Sequence, residues 1–290
     1  MKISASMIVK NEEACLEKCL ESIKGLDEIV ILDTGSTDKT CEIARKYTNK
    51  VYENEYKWND DFAEARNLSK SKCTGDWMLT IDADEWLEKG GVEKIREAVS
   101  SNNKNSVDFR VVSSDGKTTH YQPRLYRNTK DIFWKGAIHN YLNIVEGNRK
   151  DIKITYGYSP THKDDPNRAL RILQKIVNEK PDSVREVFYL AREYSYRSDW
   201  TTALYWLKTY VTRWTWAPEL AEAYLLMAKC LWNLQQGDKA RDACLQAIKI
   251  NADFEEAIRF MAEVSGPKNR ARWLQFAETA TNEDVLFARK

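Results

Sequence analysis

Three carboxylates stand within four residues at Asp82, Asp84 and Glu85, directly after the hydrophobic run WMLTI. Like charges this close repel one another, and each raises the free energy of ionising its neighbours. A divalent cation relieves that repulsion, and Mg²⁺ and Mn²⁺ prefer oxygen ligands, often one or two carboxylates together with phosphate oxygens. The spacing Asp82-x-Asp84 therefore indicates a site for Mn²⁺ or Mg²⁺.

A further carboxylate, Asp33, ends the run EIVILD. Strand-like runs alternate with helix-like ones in the first half of the chain, with strands predicted at Ile3–Val9, Glu28–Asp33, 50–56 and 76–82 and a helix at 12–23. This alternation predicts an α/β fold with a mostly parallel sheet. In such sheets ligands bind beyond the carboxyl ends of the strands. Asp33 and Asp82, each the last residue of its predicted strand, are therefore expected at the working edge.

After about Pro160 a helical periodicity replaces the strand pattern. Alanines recur at matching positions in two series, namely Ala191, Ala228 and Ala262, and Ala203 and Ala240. A small residue that recurs at intervals of 37 and then 34 residues resembles the tetratricopeptide (TPR) repeat, in which paired helices cross closely. We predict an α/β domain at 1–160 and an all-α, TPR-like domain at 161–290, whose third repeat lacks a full second helix.

Composition and charge narrow the class of protein. Lys and Arg total 45 against 44 Asp and Glu, a net charge of +1, which argues against nucleic acid as a partner. The apolar N-terminal stretch is too short and too interrupted for a signal peptide, and no segment approaches the roughly 18 apolar residues of a membrane span. We therefore expect a cytoplasmic protein without a membrane span, and the sequence leaves its oligomeric state open.

Four motifs together suggest a family. MIVKNEE, ILDTGSTDKT, FAEARN and LTIDADE, in this order, closely resemble family 2 glycosyltransferases of the GT-A fold, over about residues 1–165. With its helical tail, the chain is similar to the subgroup that joins this Rossmann-like domain to TPR-like repeats, as in peptide S-glycosyltransferases of the sublancin type. The resemblance implies metal-dependent transfer of a hexose-type sugar from a nucleotide-diphosphate sugar, UDP-linked, to a protein, peptide or glycan acceptor.

The resemblance also assigns roles to residues of the predicted edge. Six residues would form the nucleotide-sugar site: Ile8, Val9, Asp33, Arg66, Asp82 and Arg127. Ile8 and Val9 would flank the base, typically uracil, and Asp33 would accept a hydrogen bond from its ring N–H. Arg66 would hold phosphate, although a helix-surface arginine paired with Glu64 or Asp61 is the alternative. Asp84 would ligate the metal ion, with Asp82 nearer the ribose or the metal-bound water.

Two arginines occur in YQPRLYRN, which resembles the family segment PRLFRN. Arg124 and Arg127 are three residues apart, so on a strand they would face opposite ways. We therefore assign only Arg127 to the diphosphate or the acceptor.

One departure from the family pattern concerns the catalytic base. In FWKGAIHNYL, Asn140 stands where relatives carry a Glu, and an amide cannot take the proton that an acceptor hydroxyl must lose. His139 would serve instead, with Glu85 or Asp131 as alternatives, and a thiol acceptor would need less help. Glu85 would otherwise contact the donor sugar or cap the segment that follows it.

A second departure concerns the metal ion. Thr155 stands where relatives carry a histidine just before Tyr-Gly-Tyr. His162, shortly after this motif, would replace it as a third ligand beside Asp84.

Two rival functions remain open. A nucleotidyltransferase would use the same sheet with a nucleoside triphosphate and Mg²⁺, but it would need a Gly-rich, basic loop after the first strand, where this chain has IVKNEE. The other rival is an inactive GT-A domain attached to a TPR scaffold that binds partners. Asn140 and Thr155 keep that hypothesis open, whereas the intact Asp33, Asp82 and Asp84 argue against it.

Overall fold

The computed structural model describes residues 1–144, 147–160, 165–282, 285–286 and 288–289. They form two compact units, 1–166 and 167–289. The predicted domain boundary, between residues 160 and 161, adjoins segment 161–164, which lies outside the described residues. Within the described ranges, no helix is both long enough and apolar enough to cross a membrane.

The first unit is built on a mixed sheet, and the predicted α/β class with a mostly parallel sheet is confirmed. Its strands are β1 Ile3–Val9, β2 Glu28–Asp33, β3 Val51–Tyr52, β4 Trp77–Thr80, β5 Glu85–Leu87, β6 Ser106–Ser113, β7 Thr118–Arg127, β8 Trp134–Lys135, β9 Tyr141–Leu142 and β10 Asn148–Tyr156. The order in the sheet is β3-β2-β1-β4-β7-β6-β10-β5, while β8 and β9 form a separate hairpin. Strands β3, β2, β1 and β4 are parallel neighbours, so their carboxyl ends point to one edge.

Helices cover the sheet of the first unit; they are α1 Leu16–Ile23, α2 Thr40–Arg45, α3 Phe62–Ser71 and α4 Gly91–Ser101. Helix α1 starts four residues later than the predicted helix at 12–23. The amides of Glu12 and Glu13 donate to Thr40 Oγ1 at 2.7 Å and to Asp38 Oδ2 at 3.1 Å. The residues before Leu16 therefore form a turn in which the Glu12 carbonyl accepts from the Leu16 amide at 2.9 Å, while their own amides contact the start of α2 and the loop before it.

Two predicted strands are shorter than their hydrophobic patterns. Strand β4 ends at Thr80, so Asp82 lies two residues beyond the strand and is not its last residue. The amide of Asp82 donates to the Glu85 side chain, which explains why the ladder stops. Strand β3 is limited to two residues, and Asn54 shortly after it has a left-handed φ of 59° that ends the extended chain.

The second unit is helical; its helices are α5 Arg168–Glu179, α6 Val184–Tyr196, α7 Trp200–Val211, α8 Ala217–Asn233, α9 Gly237–Ile250, α10 Glu255–Val264 and α11 Pro267–Ala277, followed by a two-residue strand β11 Ala288–Arg289. The recurring alanines are all at most 1% exposed: Ala191, Ala203, Ala228, Ala240 and Ala262. The expectation of a third repeat without a full second helix is wrong. Helix α11 is that helix, and Pro267 is well placed because the first turn needs no amide donor.

Candidate active site

The carboxyl ends of three parallel strands converge at one edge of the sheet. Val9 pairs with Asp33 at the ends of β1 and β2, and Thr80 at the end of β4 pairs with Ser6 of β1. Val9 is buried, and the neighbouring Ile8 is half-buried. The edge predicted from the alternating pattern is therefore present, and the loops after these strands supply its side chains.

Hydrogen bonds tie together the loops that follow β1 and β2. Asn11, which has a left-handed φ of 56°, donates its amide to Ser36 Oγ at 2.9 Å and accepts from the amide of Thr37 at 2.7 Å. The amide of Lys39 donates to Glu13 at 3.0 Å. The motifs KNEE and GSTDKT thus fix one another, which gives this part of the edge a defined shape.

Asp33, the last residue of β2, lies directly before the second of these loops and is 4% exposed. Its carboxylate accepts from the amides of Gly35 and Ser36, each at 3.0 Å. Gly35 has a φ of 106°, which favours glycine at this turn. A carboxylate has about four acceptor positions, so Asp33 retains capacity for a further donor such as a ring N–H.

A buried ion pair holds the turn that carries the three carboxylates. Glu85 accepts from the Arg124 guanidinium at 2.6 Å and from the amide of Asp82 at 2.9 Å, with the side chains of Arg124 and Glu85 only 8% and 5% exposed. Burial raises the pKa of Glu85, against the opposing effect of Arg124. Because both carboxylate oxygens have partners, the structure favours Glu85 as a positioning residue over a base.

Asp84 follows in the same turn. Its carbonyl accepts from the amide of Gly157, directly after β10, at 2.7 Å. A Cβ on Gly157 would lie 3.2 Å from that carbonyl oxygen, so a residue without a side chain suits this approach. Two hydrogen bonds therefore hold the turn: the Asp82 amide donates to the Glu85 side chain, and the Gly157 amide donates to the Asp84 carbonyl.

Arg66 lies on α3 and faces the turn. Its Nη2 donates to Asp82 Oδ1 at 2.7 Å, and its guanidinium carbon lies 5.1 Å from the centre of the Trp134 ring. The alternative pairing with Glu64 or Asp61 is wrong. Asn59 donates to the Glu64 side chain, and Asp61 caps the start of α3.

The rest of the Arg66 guanidinium bears on phosphate binding. The side chain is 11% exposed, and its Nε and Nη1 atoms are buried without a hydrogen-bond partner among the described residues. Buried N–H groups without partners are costly, so a ligand that accepts from them gains affinity. A phosphate oxygen is such a ligand.

The backbone of the hairpin β8–β9 is hydrogen-bonded to α3. Asn67 both donates to and accepts from the backbone of Trp134, at 3.0 and 2.8 Å, and the amide of Phe62 donates to the Ala137 carbonyl at 2.8 Å. His139 lies exposed in the loop of this hairpin with a left-handed φ of 48°. The predicted base is thus carried on a loop tied to the helix that bears Arg66, and its role stays a prediction.

The structure does not bring Arg127 to the carboxylates. Arg127 pairs with Trp77 at the start of β4 and stacks on its ring at 4.8 Å. Strand β4 therefore separates Arg127 from the edge where Asp82 lies, by about 10 Å at the usual rise per residue. Arg124, and not the predicted Arg127, is the arginine of this motif that reaches the site, because β7 runs antiparallel to β4.

A family model described as Glycosyl transferase family 2 matches residues 4–161, more than half of the chain. The chain belongs to glycosyltransferase family 2. It is 29% identical to the SPbeta prophage-derived glycosyltransferase SunS of Bacillus subtilis over 208 residues, 66% of this chain and 49% of SunS.

Two further proteins are similar to this chain. A TPR repeat-containing protein of Synechococcus elongatus is 34% identical over 147 residues, 49% of this chain and 36% of that protein. The structure of S. aureus TarS 1-349 in complex with UDP-GlcNAc matches with a TM-score of 0.50 at 16% identity, covering 80% of this chain and 89% of that one. At that identity the likeness shows the fold alone. This chain spans less than half the length of the two curated relatives.

In this family 2 domain the donor set for a metal ion is small. Across the described residues, no three His, Cys, Asp or Glu side chains are grouped to hold an ion. His162 lies outside these residues, and Thr155 pairs with Trp86 in the β10–β5 ladder. Asp82 and Asp84 fit an ion that completes its shell with phosphate oxygens, as Mg²⁺ and Mn²⁺ commonly do.

Sequence reasoning missed two site residues, Arg124 and Trp134. The repeated arginines of YQPRLYRN signalled an arginine near the site, but the choice between them depended on the strand pairing. Trp134 lies in the predicted motif FWKGAIHNYL, and its position under Arg66 depends on the contact between the hairpin and α3. No local pattern in the sequence signals that contact.

Proposed function

We propose that the first unit transfers a hexose-type sugar from a UDP-sugar to a protein, peptide or glycan acceptor with the help of Mn²⁺ or Mg²⁺. One observation carries the proposal. The turn with Asp82 and Asp84, held by the buried Glu85–Arg124 pair, is bonded through Asp82 to Nη2 of Arg66, whose Nε and Nη1 have no hydrogen-bond partner among the described residues. Membership of family 2 and the UDP-GlcNAc bound to TarS support a nucleotide-sugar donor.

Different residues bind the base and the diphosphate of the donor. Ile8 and Val9 flank the base, and Asp33 accepts from its ring N–H. Arg66 donates to the diphosphate, which gains charge as the bond to the sugar breaks. A divalent cation bound by Asp84 and Asp82 would neutralise further charge on that diphosphate.

The acceptor must lose a proton as its bond to the sugar forms. His139 would accept that proton, because imidazole is the side chain suited to proton transfer near neutral pH. His139 also lies on the loop that is bonded to α3. The electron pair of the broken bond leaves with UDP. Glu85 keeps the carboxylate turn in place throughout and does not exchange protons with the acceptor.

A thermal-shift screen tests the proposal. UDP, GDP, CDP and dTDP are each added with Mn²⁺ and with EDTA, because binding to the folded state raises the melting temperature. We expect a Mn²⁺-dependent rise with UDP that is lost in Asp84→Asn. The matched control is Asp238→Asn in the second unit, where the side chain is 92% exposed.

The other outcomes identify the rivals. No rise with any nucleotide in the folded wild-type protein would contradict the proposal and favour the inactive domain with a TPR scaffold. Release of pyrophosphate from a nucleoside triphosphate would favour a nucleotidyltransferase. Hydrolysis of a UDP-sugar to UDP without added acceptor would support sugar transfer directly.

A further inference from the structure

Three aromatic residues of the segment YKWNDDF form a cluster before and at the start of α3. The ring of Trp58 lies 6.2 Å from Tyr56 and 4.7 Å from Phe62, both in edge-to-face geometry. All three side chains are half-buried, so each keeps part of its ring at the surface. We call Tyr56, Trp58 and Phe62 the aromatic corner.

Local hydrogen bonds hold the aromatic corner rigid. Tyr56 donates its hydroxyl to Asn59 Oδ1 at 2.6 Å, and Trp58 donates its indole N–H to Asp60 Oδ1 at 3.0 Å. Asp60 has a left-handed φ of 69°, and Asp61 caps α3 by accepting from the amide of Glu64 at 2.9 Å. A surface ordered in advance binds a ligand with a smaller loss of conformational entropy.

The aromatic corner lies next to the proposed donor site. Phe62 and Arg66 are four residues apart on α3, so their side chains share one face with Cβ atoms about 6 Å apart. The amide of Phe62 also donates to Ala137 in the loop that carries His139. Through Phe62, the aromatic corner therefore adjoins both the helix face that carries Arg66 and the loop that bears the proposed base.

We propose that the aromatic corner is the acceptor subsite and takes a pyranose ring, with Trp58 as the stacking platform. A pyranose has an apolar C–H face, which suits the negative face of an indole, and a rim of hydroxyl groups. Asn59 and Asp60 follow Trp58 in the chain, and besides holding the corner their amide and carboxylate are the kinds of group that hydrogen-bond hydroxyl groups. The acceptor is thus a glycan, or a molecule that presents a sugar at this point.

The position of the base favours the acceptor over the donor as occupant. The group that takes the acceptor's proton must face the acceptor, and the loop that carries His139 is bonded to the amide of Phe62 through the Ala137 carbonyl. This argument rests on the proposed function. The experiment must therefore report on the donor site and on the aromatic corner separately.

Fluorine NMR of the protein labelled with 5-fluorotryptophan provides both reports. Single Trp→Phe variants assign the resonances among the ten tryptophans. Trp134, under Arg66, reports UDP with Mg²⁺, and Trp58 reports the sugar probes methyl β-D-glucopyranoside and methyl β-D-N-acetylglucosaminide. Trp232, 43% exposed in the second unit, controls for nonspecific sugar effects.

With UDP and Mg²⁺ present, we expect one of the sugar probes to shift the Trp58 resonance saturably while that of Trp232 stays fixed. Phe62→Leu should weaken this binding about tenfold, since an aromatic contact of this kind is worth about that factor. In Phe62→Leu, the shift of the Trp134 resonance on addition of UDP should equal that in the wild type. Such a match would also establish that the variant is folded.

Other results would overturn the inference in distinguishable ways. If UDP moves Trp134 but neither sugar moves Trp58 more than Trp232, the donor site stands and the acceptor subsite is refuted. If UDP-glucose alone moves Trp58, the occupant is the donor sugar. If UDP leaves Trp134 unmoved, the proposed function fails and the inference fails with it.

Discussion

Two buried glutamates, one in each unit, are each held by an arginine. Glu85 accepts from Arg124 and from a backbone amide of the carboxylate turn. Glu219, on α8, accepts from Arg185 Nε at 3.2 Å and from the Tyr210 hydroxyl at 2.8 Å. Burial raises the pKa of both carboxyls.

The two glutamates differ in what they hold. Glu85 holds a turn whose other side chains face the site, whereas Glu219 links α8 to Arg185 on α6 and to Tyr210 on α7. A shifted pKa is therefore a poor guide to function by itself, because structural ion pairs shift pKa values as well. The group that a buried charge positions is the better guide, and variants of the two sites can test this.

The largest effect is expected from Glu85→Ala. The change leaves the buried Arg124 guanidinium without its partner, which costs about 3–5 kcal/mol at a buried pair. It also removes the acceptor of the Asp82 amide. Hydrogen exchange of the β4 and β7 amides should accelerate, and the Mn²⁺-dependent thermal shift with UDP should disappear.

A double variant separates stability from positioning in this pair. Glu85→Leu with Arg124→Met removes both charges and keeps the apolar volume, so most of the stability should return. Nucleotide binding should remain lost, because the Asp82 amide still has no acceptor. Recovery of UDP binding in the double variant would mean that the pair contributes to stability alone.

The matched change in the second unit is Glu219→Ala, with a smaller expected loss. Arg185 is 22% exposed and so keeps some contact with water, and we expect a cost of about 2–3 kcal/mol. Hydrogen exchange of α7 and α8 should accelerate while the UDP-dependent thermal shift keeps its amplitude. Loss of UDP binding here would contradict the distinction between the two glutamates.

The fold was largely predictable because its signals are local. Strands β1 and β2 have the predicted limits, since uninterrupted hydrophobic runs between loops leave little choice. The start of α1 and the end of β4 were not predicted. Both are accompanied by hydrogen bonds from backbone amides to side chains, those of Thr40 and Glu85, which periodicity does not reveal.

The sequence predicted several residues of the site, but it did not predict which of them contact one another. Asp82 and Arg66 were singled out separately, and the structure joins them at 2.7 Å. The sequence predicts Arg127 and not Arg124, because it does not reveal that β7 runs antiparallel to β4 and brings Arg124 to the carboxyl edge. The roles of His139 and of the other site residues stay predictions.

A third buried glutamate, Glu28, should respond to pH in the opposite direction to Glu219. Burial favours a raised pKa, but hydrogen bonds from Lys50, Ser4 and Thr74 outweigh it, and the pKa of Glu28 is lowered overall. Its stabilising contribution is therefore present above the unfolded value of about 4.3 and is lost as the pH falls. The raised pKa of Glu219 gives a contribution that is lost as the pH rises.

Acid unfolding of Glu28→Gln tests this sign. Between about pH 7 and about pH 3 the variant should lose less stability than the wild type, by about 1 kcal/mol or more, in hydrogen exchange of β1 and β2 corrected for intrinsic rates. Glu219→Gln is the control with the opposite trend. An equal acid loss in the wild type and in Glu28→Gln would mean that its hydrogen bonds do not hold the ionised form.

The smallest effect concerns two matched helix caps. Asp61 accepts from the amide of Glu64 at 2.9 Å at the start of α3, and Asp199 accepts from the amide of Thr202 at 3.1 Å at the start of α7. Replacing either by Ala should cost about 1 kcal/mol in the hydrogen exchange of its own helix.

Only the cap of α3 should affect the donor site, because that helix carries Arg66. Asp61→Ala should weaken UDP binding by up to about fivefold in calorimetric titration, the factor that about 1 kcal/mol corresponds to. Asp199→Ala should leave the affinity unchanged. Equal weakening by both variants would mean that the α3 cap acts through overall stability and not by positioning Arg66, and the contrast between the two units would then not extend to their helix ends.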